Sequence, residues 1–249
     1  MTELSIVTPC FESGDVLADC VESVARQSRR AEHVVVSGDA EGSLAAVLGR
    51  VDADVRVLHE APTGIYPAIN TGLREATGDV IGVLHADDFY ASDDVLVQVA
   101  AVFADPAIGA CYGDLCYVDQ QDTGRVVRYW RAGAFGRSRF RHGWMPPHPT
   151  FFLRRGIYEK HGLYRTDLGT AADYELMLRM LYKHQVRAVY LPMVLVHMRA
   201  GGASNASLGA RLAAHRMDRE AWRTNGLRPY PWTLAAKPLR KVSQWWRRP

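Results

Sequence analysis

The feature that most constrains the fold is a rhythm of short apolar runs separated by segments with helical periodicity. Four such runs occur early in the chain: LSIVTP (4–9), EHVVVSGD (32–39), VRVLHE (55–60) and GDVIGVLH (78–85). The segment after Ser13 repeats apolar residues every three to four positions, which predicts a helix. Almost wholly apolar strands that alternate with helices predict an α/β fold, in which a mostly parallel sheet is covered by helices on both faces.

Further helices are predicted over 43–51, from Pro67 and from Thr170, and the rhythm changes after residue 108. IGACYGD and LCYVD indicate two strands, DQQDTG a turn and RVVRYW a returning hairpin strand. VRAVYLP indicates a last short strand, and residues 205–225 a helix. The 249 residues, 48% of them hydrophobic, suffice for one sizeable domain with a small appendage.

The N-terminus lacks a signal-peptide pattern and the chain has no 18-residue apolar run, so we expect a cytoplasmic protein. The spacing of the four cysteines favours reduced core residues over a zinc or redox site. They are Cys10, Cys20, Cys111 and Cys116.

Charge is uneven along the chain, because residues 200–249 carry ten Lys/Arg against two acids, a net of +8 within a total of +3. This basic tail also contains Trp222, Trp232, Trp245 and Trp246. Indoles and cations together suit an anionic membrane surface, so a peripheral position at the inner face of a membrane is one interpretation. An ordinary solvated helix is the other, and the lack of a recognised motif argues against a nucleic-acid partner.

Two adjacent acids, Asp87 and Asp88, follow the fourth apolar run in the sequence LHADDFY. Ligands of parallel sheets bind beyond the carboxyl ends of the strands, where this pair is expected. Since an unpaired charge is costly to bury, the pair should face solvent or a cation, and a few oxygen ligands suit Mg²⁺ or Mn²⁺ bridging to a diphosphate. The alternative is that the two acids cap a turn. Asp93 and Asp94 are expected in the first turn of the next helix.

The order of several motifs resembles the family 2 inverting glycosyltransferases of the GT-A fold. These motifs are SIVTPCFES, EHVVVSGDAEGS, GIYPAINTGLREATGD, LHADD, YGD, HPTFFLRRGIYEKHGLY, AADYELMLRM and GGAS, within residues 3–205. The resemblance implies a Rossmann-like GT-A domain over 1–204, with a nucleotide-sugar half (1–108) and an acceptor half (109–204), before a helical tail (205–249). It also implies sugar transfer from a nucleotide diphosphate, in bacterial surface polysaccharide or glycolipid synthesis, to a sugar or lipid-linked sugar.

On the donor side, the resemblance implies that Asp87 holds a divalent metal, with His85 as a second candidate ligand because it replaces the first acid of the family's motif. Residues expected to line the donor are Thr8, Pro9, Phe11, Glu12, Ser37, Asp39, Asn70, His85, Ala86 and Asp88. Ser37 stands where the family has an aspartate, for which Asp39 can compensate. Pro67 replaces a common carboxylate, so Asn70 and Gly72 can instead be structural.

On the acceptor side, the resemblance implies that Asp173 is the general base, which must lie within reach of the acceptor hydroxyl. The alternative is a capping box formed with Thr170. Glu175 is a weaker candidate because it faces another side of the helix. His148 matches a family histidine or is a core residue. Arginines 125–141 can grip phosphate or solvate a hairpin, and Gly201–Ser204 predicts a closing turn.

Two other functions stay open. A nucleotidyltransferase would make sugar nucleotides on a similar scaffold, although CFESGD lacks the Gly-rich, basic loop typical of that class. A catalytically degenerate binding subunit would explain the replacements at Ser37, Pro67 and His85.

Overall fold

The computed structural model describes residues 2–11, 14–38, 41–61, 63–201, 208–242 and 244. For residues 41–43, 208–213, 238–239 and 241–242 only the backbone is described. Ser13, Glu12, Asp39, Gly202–Ser204, Trp245 and Trp246 therefore lie outside the described residues.

The first half of the chain forms the predicted parallel sheet. Strands β1 (Leu4–Cys10), β2 (Glu32–Ser37), β3 (Arg56–His59) and β4 (Val80–Val83) lie in the spatial order β3-β2-β1-β4, all parallel. Helices α1 (Val16–Ala25), α2 (Glu41–Leu48) and α3 (Ile65–Glu75) connect them. Every residue of β1 and β4 is buried, as runs apolar on both faces require.

The second half extends this sheet with strands of mixed direction. They are β5 (Asp88–Tyr90), β6 (Ala110–Val118), β7 (Val126–Trp130), β8 (Phe152–Arg154) and β9 (Ala188–Arg199), and the full order is β3-β2-β1-β4-β8-β6-β9-β5, with β7 on β6. β8 runs antiparallel to both β4 and β6, whereas β6 and β9 are parallel. The α/β fold class is confirmed, and β8 joins its two halves into one sheet.

The remaining helices cover this half. α4 (Val95–Val102) follows β5, α5 (Arg155–His161) follows β8, and 3-10 turns span Arg137–His142, His148–Thr150 and Thr166–Ala171. α6 (Ala172–Met177) continues as a π-helical turn over Leu178–Lys183. α7 (Leu208–Thr224) and α8 (Thr233–Val242) complete the chain.

One prediction for this half is wrong, because IGACYGD and LCYVD form the single strand β6. The strand continues through Gly113 and Asp114, where the two predicted strands meet, and a side chain at Gly113 would lie 2.5 Å from Leu195 of the neighbouring strand. Asp114 is buried and accepts hydrogen bonds from the Tyr190 hydroxyl (2.8 Å) and the Ala132 N–H (2.8 Å). Both residues are therefore needed for sheet packing rather than for a turn.

The C-terminal helices pack on the domain instead of standing apart from it. Trp222 of α7 is fully buried, and its indole N–H donates to the Tyr174 hydroxyl at 2.9 Å. The prediction that Trp222 belongs to a surface-exposed tail is therefore wrong, whereas Trp232 is 52% exposed. Within the described part of the chain, no helix has the length and apolar character needed to cross a bilayer.

Candidate active site

The acid turn lies between β4 and β5, at the carboxyl end of the parallel strands. The Asp88 N–H donates to the His85 carbonyl at 3.0 Å, which closes the turn and starts β5. Arg199, at the end of β9, donates from Nη1 to the Asp87 carbonyl at 2.8 Å and also pairs with Asp19. The turn is therefore held from both sides through backbone groups, and the Asp87 side chain is half-buried.

Asp88 is fully buried, and neither of its carboxylate oxygens accepts a hydrogen bond of normal geometry from the described residues, although the Arg199 N–H approaches the carboxylate. Burial, with a contribution from Asp87, raises the pKa of Asp88 well above its usual value, although Arg199 opposes the shift. The turn-cap interpretation is not supported for this side chain, because no N–H of the acid turn donates to its oxygens and the backbone contact that lowers its pKa comes from Arg199 in β9. A buried carboxylate without such hydrogen bonds is expected where an external cation supplies the missing charge.

A histidine pair adjoins the acids. Nε2 of His85 lies 3.4 Å from Nδ1 of His148, whose Nε2 lies 2.7 Å from the Tyr164 hydroxyl. Burial, with a contribution from His148, lowers the pKa of His85 to about 4, while Asp87 and Asp173 act in the opposite direction. Burial alone lowers the pKa of His148 to about 4. Both imidazoles are thus neutral at pH 7. His85 contacts His148 through Nε2, so its Nδ1 is not used in that contact.

Asp173 lies in the first turn of α6, across from the acid turn. Its charge and that of Asp87 both act on the imidazole of His85, and with Asp88 it also raises the pKa of Tyr117 beyond the effect of burial. The Asp173 Oδ1 accepts from the Tyr174 N–H at 2.6 Å. The N-cap residue of α6 is Ala171, so the capping box with Thr170 does not form. Both predicted acids therefore lie near enough to His85 for their charges to raise the pKa of its imidazole, against the effect of burial.

Glu175 faces the opposite way and is only 1% exposed. Its carboxylate accepts from Arg179 Nε at 2.9 Å, Arg179 Nη2 at 3.0 Å and Asn225 Nδ2 at 2.9 Å. Arg179 in turn donates to the carbonyls of residues 161–163. Glu175 is consequently a structural residue that joins α6 to α7 and the preceding loop.

The predicted base pocket lies at the ends of β1 and β2, where Cys10 pairs with Ser37. The Phe11 ring lies against Gly38 so closely that a side chain there would meet the ring at 2.4 Å. Phe11 is half-buried and Ser37 is buried. Gly38 thus allows the Phe11 ring to lie close against the backbone that follows β2.

Other predicted donor residues have structural roles in this state. The Thr8 hydroxyl lies in the interior, 2.9 Å from Nε2 of His33, and Pro9 and Ala86 are buried beside it in β1 and the acid turn. Asn70 exchanges two hydrogen bonds with the Tyr164 backbone, at 2.8 and 2.9 Å. Their side chains therefore shape the site from behind.

The arginine-rich segment separates into different environments. Arg125 forms an exposed ion pair with Asp119, and Arg137 donates to the Tyr182 carbonyl. Arg128 stacks on Tyr117, with its guanidinium carbon 3.7 Å from the ring centre. The charges of Asp88 and Asp173 both raise the pKa of Tyr117. Among the arginines of this segment, we therefore place Arg128, which stacks on Tyr117, at the site.

The residues present fit a divalent metal that is shared with a substrate. Among the described residues, no group of three or more His, Cys, Asp or Glu side chains forms a closed cage. Mg²⁺ and Mn²⁺ usually take one or two carboxylates and complete their shell with phosphate oxygens and water. The half-buried Asp87 beside the buried Asp88 provides such an open set.

Sequence reasoning missed several residues of the site: Tyr66, Tyr117, Tyr164 and Arg199. Tyr66 stacks on Tyr164 at 5.6 Å between ring centres, and its hydroxyl contacts the Asp173 backbone. These side chains come from four distant segments, and no local pattern marks them. A single aromatic residue in an apolar context is usually read as core.

The α/β sheet, the acid turn at the carboxyl end of its parallel strands and the second acid at the start of α6 are the features expected of a glycosyltransferase with the GT-A fold. Residues 5–162 match the family described as Glycosyl transferase family 2, and the chain belongs to this family. The match ends before Asp173, so that residue's role does not follow from it.

Named relatives agree with this assignment. The chain is 28% identical over 208 residues to the PGL/p-HBAD biosynthesis glycosyltransferase of Mycobacterium tuberculosis, covering 81% of this chain and 78% of the relative. It is 29% identical over 183 residues to the uncharacterized glycosyltransferase Rv1514c of the same species, covering 71% and 68%. The protein is therefore a glycosyltransferase.

Solved structures show the same fold at low sequence identity. The mannosyltransferase PcManGT from Pyrobaculum calidifontis, in complex with GDP-Man and Mn²⁺, superposes with a TM-score of 0.65 at 20% identity, covering 95% of this chain and 69% of that one. S. aureus TarS 1-349 in complex with UDP-GlcNAc gives 0.67 at 16% identity, covering 97% and 73%. The predicted GT-A fold is confirmed.

Proposed function

We propose that this glycosyltransferase moves a sugar from a nucleotide-diphosphate donor to an acceptor hydroxyl, with inversion and with a divalent metal. Residues 1–108 bind the donor, and residues 109–204 bind the acceptor. The observation that carries the proposal is that Asp87 and Asp173, 86 positions apart in sequence, both act on His85. The names of the neighbours, a GDP-Man and Mn²⁺ complex and a UDP-GlcNAc complex, support a nucleotide-sugar donor and a metal.

Asp87 would hold the metal, and Asp88 would support Asp87 from behind. When bound, the metal stabilises the negative charge that builds on the departing diphosphate. Phe11 and Gly38 form the wall against the base, and the half-buried His85 offers Nδ1 to a donor oxygen or to the metal.

Asp173 acts on the other face of the sugar. Its carboxylate takes the proton of the acceptor hydroxyl as the oxygen attacks the anomeric carbon. The bond from that carbon to the diphosphate breaks, and the diphosphate leaves with the electron pair from the opposite face. One displacement of this kind inverts the configuration. The Tyr66 hydroxyl contacts the Asp173 backbone and the Tyr174 N–H donates to Asp173 Oδ1, which keeps the carboxylate oriented.

The class of product is surface glycolipid or polysaccharide, and the reaction takes place in the cytoplasm or at the inner face of a membrane. This part of the proposal is supported by the relatives that act in PGL/p-HBAD biosynthesis. A sugar or a lipid-linked sugar is the acceptor.

A donor panel tests the proposal. The protein is incubated with Mn²⁺ or Mg²⁺ and a series of nucleotide sugars, and release of nucleoside diphosphate is followed with and without a chelator. We expect metal-dependent release from one donor, lost in Asp87→Asn. Release of pyrophosphate from a sugar phosphate and a nucleoside triphosphate would instead identify a nucleotidyltransferase. A folded protein that neither binds nor cleaves any donor would leave the degenerate binding subunit.

A further inference from the structure

Two stretches of sequence that contain no acid converge on one surface. Residues 123–158 hold eight arginines and residues 221–249 hold seven Lys/Arg, and neither stretch contains Asp or Glu. The first supplies the 3-10 turn Arg137–His142, and the second supplies α8 and the loop before it. The Thr233 hydroxyl donates to the Arg141 carbonyl, which ties the two together.

Exposed aromatic rings lie where these stretches meet. Tyr230 is 37% exposed and Trp232 is 52% exposed, with their ring centres 4.9 Å apart. The Arg141 guanidinium lies 4.5 Å from the centre of the Tyr230 ring, and the exposed His142 approaches the same ring edge-on at 6.2 Å. We call this surface, formed by Arg139, Arg141, His142, Tyr230, Trp232 and Arg240, the Tyr230 patch.

The cations of the Tyr230 patch are close to one another. The exposed Arg240 donates from Nε to the His142 carbonyl at 2.9 Å, which brings α8 onto the 3-10 turn. Burial lowers the pKa of Arg139, and the charge of Arg240 lowers it further. Like charges held together repel, so the patch gains free energy from an anionic surface placed against it.

We propose that the Tyr230 patch docks the protein on an anionic lipid membrane. Indole and phenol rings settle at the depth of the headgroups, where one side is apolar and the other is wet, and arginine forms bidentate contacts with phosphate. The Tyr230 patch combines both features, because the exposed Trp232 lies beside Tyr230, whose ring is covered by the Arg141 guanidinium. Most other exposed large apolar residues of the described chain, such as Val97, lie apart from it.

Helix α8, which carries part of the Tyr230 patch, also contacts α6, the helix that carries Asp173. The Lys237 ammonium of α8 lies 4.0 Å from the centre of the Tyr174 ring, and Tyr174 follows Asp173 in α6. Docking through α8 therefore places the helix that carries Asp173 near the lipid surface. If the proposed function holds, this arrangement presents the general base to an acceptor carried on a lipid, and this last step rests on that function.

Flotation with vesicles tests the docking. The full chain, without donor or acceptor, is mixed with vesicles of phosphatidylcholine containing phosphatidylglycerol, and with vesicles of phosphatidylcholine alone. We expect binding to the anionic vesicles that weakens as salt is raised. Arg240→Glu should weaken it roughly fivefold or more, the fold-change that corresponds to about 1 kcal/mol per lost cation. Trp232→Ala should weaken it at high salt as well.

Two matched variants serve as controls. Arg30→Glu makes the same change of charge on an exposed arginine just before β2, at the amino end of the parallel strands, whereas the acid turn lies at their carboxyl end. Val97→Ala shortens an exposed apolar residue of α4. Both should bind vesicles as the wild type does. Equal weakening by Arg240→Glu and Arg30→Glu would show a mere net-charge effect and would overturn the proposal.

Two further results would also overturn it. One is binding that does not distinguish anionic from neutral vesicles. The other is a dimer in solution that Trp232→Ala dissociates, which would assign the patch to a second copy of the chain. Because the assay needs no turnover, its failure leaves the proposed sugar transfer standing, and failure of sugar transfer leaves the docking standing.

Discussion

The acid turn and the start of α6 each carry one half-buried carboxylate and one fully buried carboxylate, and the two buried ones differ completely. Glu175 receives three hydrogen bonds from Arg179 and Asn225. Asp88 receives none of normal geometry from the described residues. Both side chains are 1% exposed or less, so burial does not account for the difference.

Glu175 is bonded within the fold, whereas Asp88 is the carboxylate that we propose to act on a bound cation. A buried charge is tolerable when donors surround it, and Glu175 meets this condition within the chain. Asp88 meets it only when something from outside arrives. Asp87 and Asp173, the half-buried acids of the two regions, are the residues that we propose to act on the donor and the acceptor.

The largest effect is expected at the half-buried acid of α6. Asp173→Asn removes the proton acceptor but preserves size, so the turnover number should fall by roughly 10²- to 10⁴-fold while the donor affinity is retained. Initial rates and donor titrations check this, with Asp173→Glu as the conservative comparison. Turnover close to that of the wild type would remove Asp173 from the mechanism.

Removal of the buried ion pair between Glu175 and Arg179 should chiefly lower the stability of the fold. Glu175→Ala leaves the Arg179 guanidinium buried without its partner, so the free energy of unfolding should drop by about 3–5 kcal/mol in urea titrations. The control is Glu159→Ala, which removes an exposed pair with Arg155 of the same i,i+4 spacing and should cost a few tenths of a kcal/mol. Similar losses in the two variants would contradict the structural role of Glu175.

The comparison also includes His33, a buried histidine beside Thr8, whose contribution to stability depends on pH. Burial lowers the pKa of His33 to about 4, from an ordinary value near 6.5, so the folded state holds it neutral beside Thr8. The stability that this provides is fully present above pH 6.5 and is lost as pH falls toward 4, by up to about 1.4 kcal/mol per pH unit.

Urea titrations from pH 7.5 to 4.5 measure this loss. His33→Gln should reduce the acid-induced loss by about 2 kcal/mol at pH 4.5, while the share from His85 and His148 remains. An unchanged pH profile in this variant would show that His33 is already protonated in the fold.

The smallest effect is expected at Asp88, the buried acid that lacks hydrogen bonds of normal geometry. Burial and Asp87 raise the pKa of Asp88, so its contribution to stability is present below its ordinary pKa and is lost as pH rises. Asp88→Asn should therefore raise the free energy of unfolding of the metal-free protein at pH 8 by about 1 kcal/mol, with less gain at pH 5. It should also reduce stabilisation by Mn²⁺ with a donor. Loss of stability at both pH values would reveal protein donors to Asp88.

The parallel half of the fold could be predicted from sequence because each strand is a continuous apolar run. β5 and β8 were missed, since three residues carry no periodicity, and Asp88 argues locally against a strand. β9 was predicted too short because Pro192 interrupts it, although strand pairing continues past that point to Arg199. Such elements are stabilised by pairing with distant strands, which no local pattern records.

The site residues also divide into those that the sequence predicted and those that depend on contacts between distant segments. Asp87 and Asp173 could be proposed from the order of motifs, and the exclusion of Glu175 agreed with its helical spacing. The contact of His85 with His148 joins residues 63 positions apart, and the contacts of Arg199 with Asp87 and Asp19 join residues 112 and 180 positions apart. Their roles depend on tertiary contacts, and so does the finding that Asp88, rather than Asp87, is the buried acid without hydrogen bonds of normal geometry.

Anomalous diffraction from crystals grown with Mn²⁺ and a nucleoside diphosphate tests the central claim most directly. The account predicts one manganese peak within coordination distance of the Asp87 carboxylate, with the diphosphate on it and Asp173 facing the same cleft. Manganese bound away from the acid turn, or Asp173 facing a different surface from the nucleotide, would contradict it.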